Sequence, residues 1–179
     1  MTLDLALAIP RVVVGALLAA HGLQKLSGWF GGHGISGTAG FLAQLGFRPS
    51  RPWAWALALS ETVGGLLLAL GLLSPVGALL ILSAILVAAI VVHAPKGLWN
   101  ANGGVEWPLT IIAVALSSAI AGPGAYSLDA ALGIRLPAEL VGALIILIAL
   151  GVFAALGSRA TIDHDRLGWR SRRATPGRS

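Results

Sequence analysis

Eight side chains stand out in this chain because their chemistry does not suit the apolar runs that carry them. His21, Gln24 and Lys25 fall within "HGLQK", three and four residues apart, so on a helix they share a face. Arg11 lies ten residues before His21, and at about 100° per residue Arg11, His21 and Lys25 fall in one stripe about 80° wide. Glu61 is the one charge in "PWAWALALSETVGGLLLALGLL", and His93, Asn102 and Glu106 belong to "HAPKGLWNANGGVEWPL". Histidine titrates near working pH and suits proton exchange. Lysine and the amides donate hydrogen bonds, and a carboxyl accepts them or exchanges a proton. Ionisable groups in hydrocarbon are costly and tend to be functional.

The elements that position these groups are membrane helices. The chain has 179 residues, of which 56% are hydrophobic and 11% charged, and its mean hydropathy is +0.86. That balance excludes an ordinary soluble domain. Crossing about 30 Å of hydrocarbon takes ~20 helical residues. Five runs approach that length: Leu5 to Leu26, Pro52 to Leu73, Pro75 to Val92, the shorter Trp107 to Ala121, and Pro137 to Leu156. Trp53 and Trp55 serve as interfacial anchors, and Pro108 starts the fourth helix. The N-terminal "MTLDLALAIPR" has no basic n-region and carries Asp4, so it is expected to be a retained first span. The expected fold is all-α, a polytopic transmembrane bundle with a four-helix core and a fifth, C-terminal transmembrane helix.

Loop charges orient that bundle. Lys25, Arg48 and Arg51 flank the first loop, Lys96 the third, and Arg159, Arg166, Arg170, Arg172, Arg173 and Arg178 fill the tail, while the opposite side holds Asp4, the uncharged "LLSP" turn, Asp129 and Arg135. Basic residues favour the cytoplasmic side, so the N-terminus is expected outside and the C-terminus inside. The net charge of +5 comes mainly from that tail and fits anionic lipid better than nucleic acid. Residues 27–51 are expected to include an interfacial segment lying as a lid on the inner face, although their glycines also suit a linker.

At this depth His21, Gln24, Lys25, His93, Asn102 and Glu106 converge from three helices as a candidate polar pocket. Each also has a plainer role open to it: Lys25 can snorkel to the interface, and Glu106 can be a first-turn acid favoured by the helix dipole. Glu61, about 13 Å inside Pro52, is expected to pair with Arg11, an ion pair that could equally serve only to fix helix register. No cysteine is present, and neither histidine stands in a paired metal motif, so no metal site is expected.

The combination of an arginine before "VVVGALLAAHGLQKL", the "ALSETVGGLLLALGLLSPVGALL" hairpin, "VVHAPKGLWNANGGVEWPL" and "GPGAYSLDAALG" resembles the DoxX family of small bacterial membrane proteins. The resemblance implies a four-helix core, residues 1–133, to which 134–157 add a transmembrane helix and 158–179 a basic, disordered cytoplasmic tail. It further implies a role in the bacterial inner membrane beside redox or oxidative-stress complexes, with sulfurtransferase-like and superoxide-dismutase partners, and makes the eight polar residues above site candidates. Three functions remain open. The chain is a redox subunit binding a quinone near the cytoplasmic face, with electrons supplied by another protein, or a non-catalytic scaffold recruiting soluble partners, or a small-molecule or ion transporter. Small-residue spacings such as Gly15 to Ala19, Gly65 to Ala69 and Gly151 to Ala155 allow close packing within one bundle or between copies in a homo-oligomer.

Overall fold

A computed structural model describes residues 2–159. The arginine-rich tail expected from the sequence lies, beyond Arg159, outside the described residues. Seven α-helices are described: α1 (Thr2–Ser27), α2 (Gly34–Gln44), α3 (Ser50–Leu70), α4 (Ser74–Ala88), α5 (Glu106–Ala121), α6 (Leu128–Leu132) and α7 (Ala138–Gly157). Among the described residues four segments are long and apolar enough to cross a membrane, namely α1, α3, α7 and α4 with the turns that extend it. α5 is apolar but has only 16 residues. The five longest helices match the five runs legible in the sequence.

Glycine decides how the first two long helices meet. α1 and α3 run antiparallel with their backbones touching. A Cβ on Gly15 would stand 2.5 Å from the Ala69 nitrogen, one on Gly65 2.4 Å from the Ala19 nitrogen, and one on Gly22 2.3 Å from the Thr62 nitrogen. Inside lipid, where apolar surface gains little by leaving hydrocarbon, such close backbone approach is what holds helices together. The three contacts also fix the register, with residues near 15 facing 69 and residues near 22 facing 62. α4 joins the pair through Gly77, whose Cβ would stand 2.8 Å from the Leu68 nitrogen, and α5 packs on α4. The middle of this bundle is apolar: Leu18, Leu68, Ala78, Ile81, Leu82, Ile85 and Ala115 form one buried cluster.

At the face where α1 ends, α2 lies over the helix ends and buries Ile35, Thr38 and Leu42. Thr38 Oγ1 donates to the Lys25 carbonyl at 3.3 Å, seating α2 on α1. α4 does not stop cleanly at this face. It passes into a π turn, Ala89–His93, and then a 3-10 turn, Ala94–Lys96. A π turn takes up extra residues per revolution and so re-aims the side chains that follow, His93 among them.

The opposite face is closed by α6. Asp129 accepts from the Leu73 and Ser74 backbone amides at 2.8 and 2.9 Å, satisfying donors at the start of α4. α7 then returns across the bundle against α4, turning most of its surface outward. Its far end is fastened. The Arg48 amide donates to the Ser158 carbonyl at 3.1 Å, Arg159 Nε donates to the Leu45 carbonyl at 3.1 Å, and the Arg159 guanidinium sits 5.9 Å from the Phe47 ring centre.

Candidate functional site

A cavity of about 730 Å³ opens between α1, α3, α4 and α5 beneath α2. That is within the range of small-molecule sites. Its walls are mainly apolar, with Leu17 and Leu18 from α1, Leu57 from α3, Ile85 and Val91 from α4 and its extension, and Ile111 from α5. Phe41, Leu42 and Leu45 of α2 form the roof, with Phe47 beyond it. His21, Lys25, Glu61, His93 and Asn100 supply its polar side chains.

Lys25 Nζ donates to Glu61 Oε2, joining α1 to α3. The two sides of this pair differ, because the Lys25 side chain is 28% exposed and that of Glu61 only 5%. The ammonium carries three donors, so two remain for another acceptor. His93 Nδ1 lies 2.7 Å from the Gly103 carbonyl. A carbonyl only accepts, so Nδ1 holds a proton and Nε2 is the lone-pair nitrogen of the neutral ring. His21 lines the cavity from an exposed position on α1.

Of the six side chains expected to converge, three line the cavity and three do not. Gln24 turns away and donates from Nε2 to the Phe30 carbonyl at 3.0 Å, holding the loop after α1. Asn102 is exposed in the 3-10 turn Asn100–Asn102, and it is Asn100 that faces the cavity. Glu106 accepts from the Asn100 amide at 2.8 Å and so acts as a first-turn acid pinning that turn. Asn102 and Glu106 miss the cavity because the loop between α4 and α5 folds back on itself, and Gln24, on α1, because it bonds the loop that follows its own helix.

The Arg11–Glu61 pair does not form. Arg11 is 1% exposed and donates to the carbonyls of Leu68, at 3.3 Å, and Tyr126, at 2.6 Å. It packs where Gly71, at φ 61°, has no side chain, since a Cβ there would stand 1.9 Å from Arg11 Nη1. The register set by Gly15, Gly65 and Gly22 places Arg11 beside the end of α3, while Glu61 stands level with Lys25, about 21 Å further along α1. Depth counted from each end of a helix put the two charges near midplane together; the glycine contacts place them in opposite halves of the bundle.

Sequence reasoning missed Glu61 as a cavity residue and Asp129 as a cap. No sequence signal marked the first, because the level of Glu61 follows from the Gly22–Thr62 contact, Thr62 being the next residue. For the second, "SLDA" held a helix start, because Ser127 Oγ accepts from the Ala130 amide at 3.1 Å. Among the described residues no three His, Cys, Asp or Glu side chains gather as a metal site.

One family model, DoxX, matches residues 6–94. Through these residues the chain belongs to the DoxX family. The matched stretch runs from α1 to the extension of α4, and so contains His21, Lys25, Glu61 and His93. DoxX is a family of membrane proteins, and with its long apolar helices the chain is a multi-pass membrane protein. No curated protein and no solved structure matches the chain.

Proposed function

We propose that this DoxX protein is the membrane subunit of a redox complex and that its cavity holds the head group of a quinone. The observation that carries this reading is the Lys25–Glu61 pair set among apolar walls, with His21 and His93 on the same cavity. A quinone is a carbonyl-bearing ring on an apolar chain, and the residues suit both parts. The ammonium donors of Lys25 not used by Glu61 suit a ring oxygen, and the leucine, isoleucine and phenylalanine side chains suit the rest. A bound quinone would supply a two-electron acceptor that takes up two protons.

The chain's own contribution is to fix and protonate. Glu61 holds the Lys25 ammonium in place, and the buried carboxylate is compensated by that single cation. The Gly103 carbonyl fixes the tautomer of His93, leaving Nε2 free to accept or relay a proton. Electrons come from another protein, for which soluble redox or sulfurtransferase-like partners on the side of α2 are the natural class. With Lys25, Arg48, Arg51 and Lys96 at that side, it is the cytoplasmic one and the N-terminus lies outside.

The test is a binding titration of the gently solubilised protein with a decyl-tailed benzoquinone, read by tryptophan quenching and by thermal unfolding, together with mass spectrometry of co-purified lipophiles. Saturable binding is expected, weakened about tenfold or more in Lys25→Met. Absence of saturable binding in the unsubstituted protein, with no quinone among the co-purified molecules, removes the reading.

A further inference from the structure

A second cavity, about 320 Å³, lies between α3, α4 and α7. Leu42, Phe47, Leu57, Ala84 and Val87 line both this groove and the larger cavity. The partition between the two is therefore one side chain thick and wholly apolar. Core side chains of this kind change rotamer, so the barrier is one of packing and needs no polar group to be desolvated.

α7 shapes the groove's far wall. Its end is tied to the turn between α2 and α3 through Ser158 and Arg159, yet at Gly151 a Cβ would meet no atom within 4 Å. The helix is thus anchored at one end and stands off the bundle beside the groove. Apolar surface facing lipid gains little by closing such a gap, so the gap persists only if a flexible apolar chain fills it and restores the lost contacts. The groove is lined mainly by apolar side chains; of its two hydroxyls, Ser60 and Ser83, that of Ser83 donates to the Leu80 carbonyl at 2.7 Å.

We infer that the ligand whose head lies at the Lys25–Glu61 pair carries a long apolar chain, and that this chain crosses the Leu57–Val87 partition to lie in the groove beneath α7. This rests on the head-group reading above and extends it to ligand class: a long-tailed amphiphile, with α7, which lies outside the matched DoxX segment, selecting for the chain.

The experiment compares two probes on the full chain in detergent micelles, a dimethoxy-methyl-benzoquinone without a side chain and the same ring with a decyl chain. Gly151→Phe fills the groove from α7, and Ala56→Phe fills it from α3 and serves if α7 does not tolerate the first change. Gly142→Phe is the control, since a Cβ at Gly142 also meets open space and the residue lines neither cavity. The groove variants are expected to weaken the decyl probe about tenfold and leave the tail-free probe unchanged, with the control altering neither. Unchanged decyl binding in the groove variants overturns the inference while leaving the head site standing, and assigns the groove to bulk lipid chains. Equal weakening of both probes overturns it too, by tracing the effect to the head site. If neither probe binds the unsubstituted protein, the head-group reading fails and this inference with it.

Discussion

Lys25 reaches from α1 to the Glu61 carboxylate on α3, just past the level at which Gly22 packs against Thr62. Tight backbone contact and ion pair therefore sit side by side on one seam. The glycine lets the helices approach, and the approach excludes solvent from the carboxylate, leaving Glu61 dependent on a single cation.

Removing that cation alone is expected to be worse than removing both charges. Lys25→Met should cost about 3 kcal/mol by leaving Glu61 buried and unpaired, and the double variant Lys25→Met/Glu61→Gln should recover most of it. Arg11→Met combined with Glu61→Gln should instead be additive within about 0.5 kcal/mol, because the two residues lie in opposite halves of the bundle. Denaturant unfolding of the solubilised variants measures both cycles. Strong coupling between Arg11 and Glu61 would contradict the register described here.

Gly65→Ala is expected to destabilise by about 2 kcal/mol or more, since its Cβ would meet the α1 backbone. Gly142→Ala on α7, where a Cβ meets nothing, should be neutral or gain up to about 1 kcal/mol from helix propensity. The same unfolding assay separates the two, and equal responses would show that α1 and α3 do not touch as described.

Asp129 links α6 to the start of α4. Asp129→Ala should cost about 1–2 kcal/mol by leaving the Leu73 and Ser74 amides without their acceptor. Asp129→Asn, with one carbonyl oxygen, should recover only part. Hydrogen exchange at those two amides is the direct measurement, and unchanged protection in Asp129→Ala would remove the capping role.

His93 pins the turn before α5 through Gly103. His93→Ala should release it, raising tryptic cleavage after the exposed Lys96 about fivefold if the hydrogen bond is worth about 1 kcal/mol. Cleavage at the rate of the unsubstituted protein would show that the turn is held by its own backbone bonds.

The helices were legible because hydrocarbon imposes a length and a composition that few other segments meet, which is why Pro52–Leu73 and α3 nearly coincide. The apolar residues Ile35, Phe41 and Leu42 marked the segment that α2 occupies over the helix ends. Which charge meets which was not legible. Arg11, Lys25 and Glu61 sit on correctly read helices, but pairing depends on axial register, and register depends on which small residues touch. Gly15 and Gly65 were visible as small residues without their partners being evident. Gln24, Asn102 and Glu106 were beyond reach for another reason: each lies in or beside a turn, and the turns bend at Gly28, Gly97 and Gly103, all at positive φ.

The apolar cluster of Leu18, Leu68, Ala78, Ile81 and Ala115 separates the Arg11 layer from the Lys25 layer. It acts as an insulator across the thickness of the bundle. Every member of that layer is apolar, so a proton exchanged in the proposed chemistry of the cavity would return to the side it came from. The proposed chemistry would then be electrically silent: the transmembrane voltage would do no work on it, and its rate is expected not to follow the membrane potential.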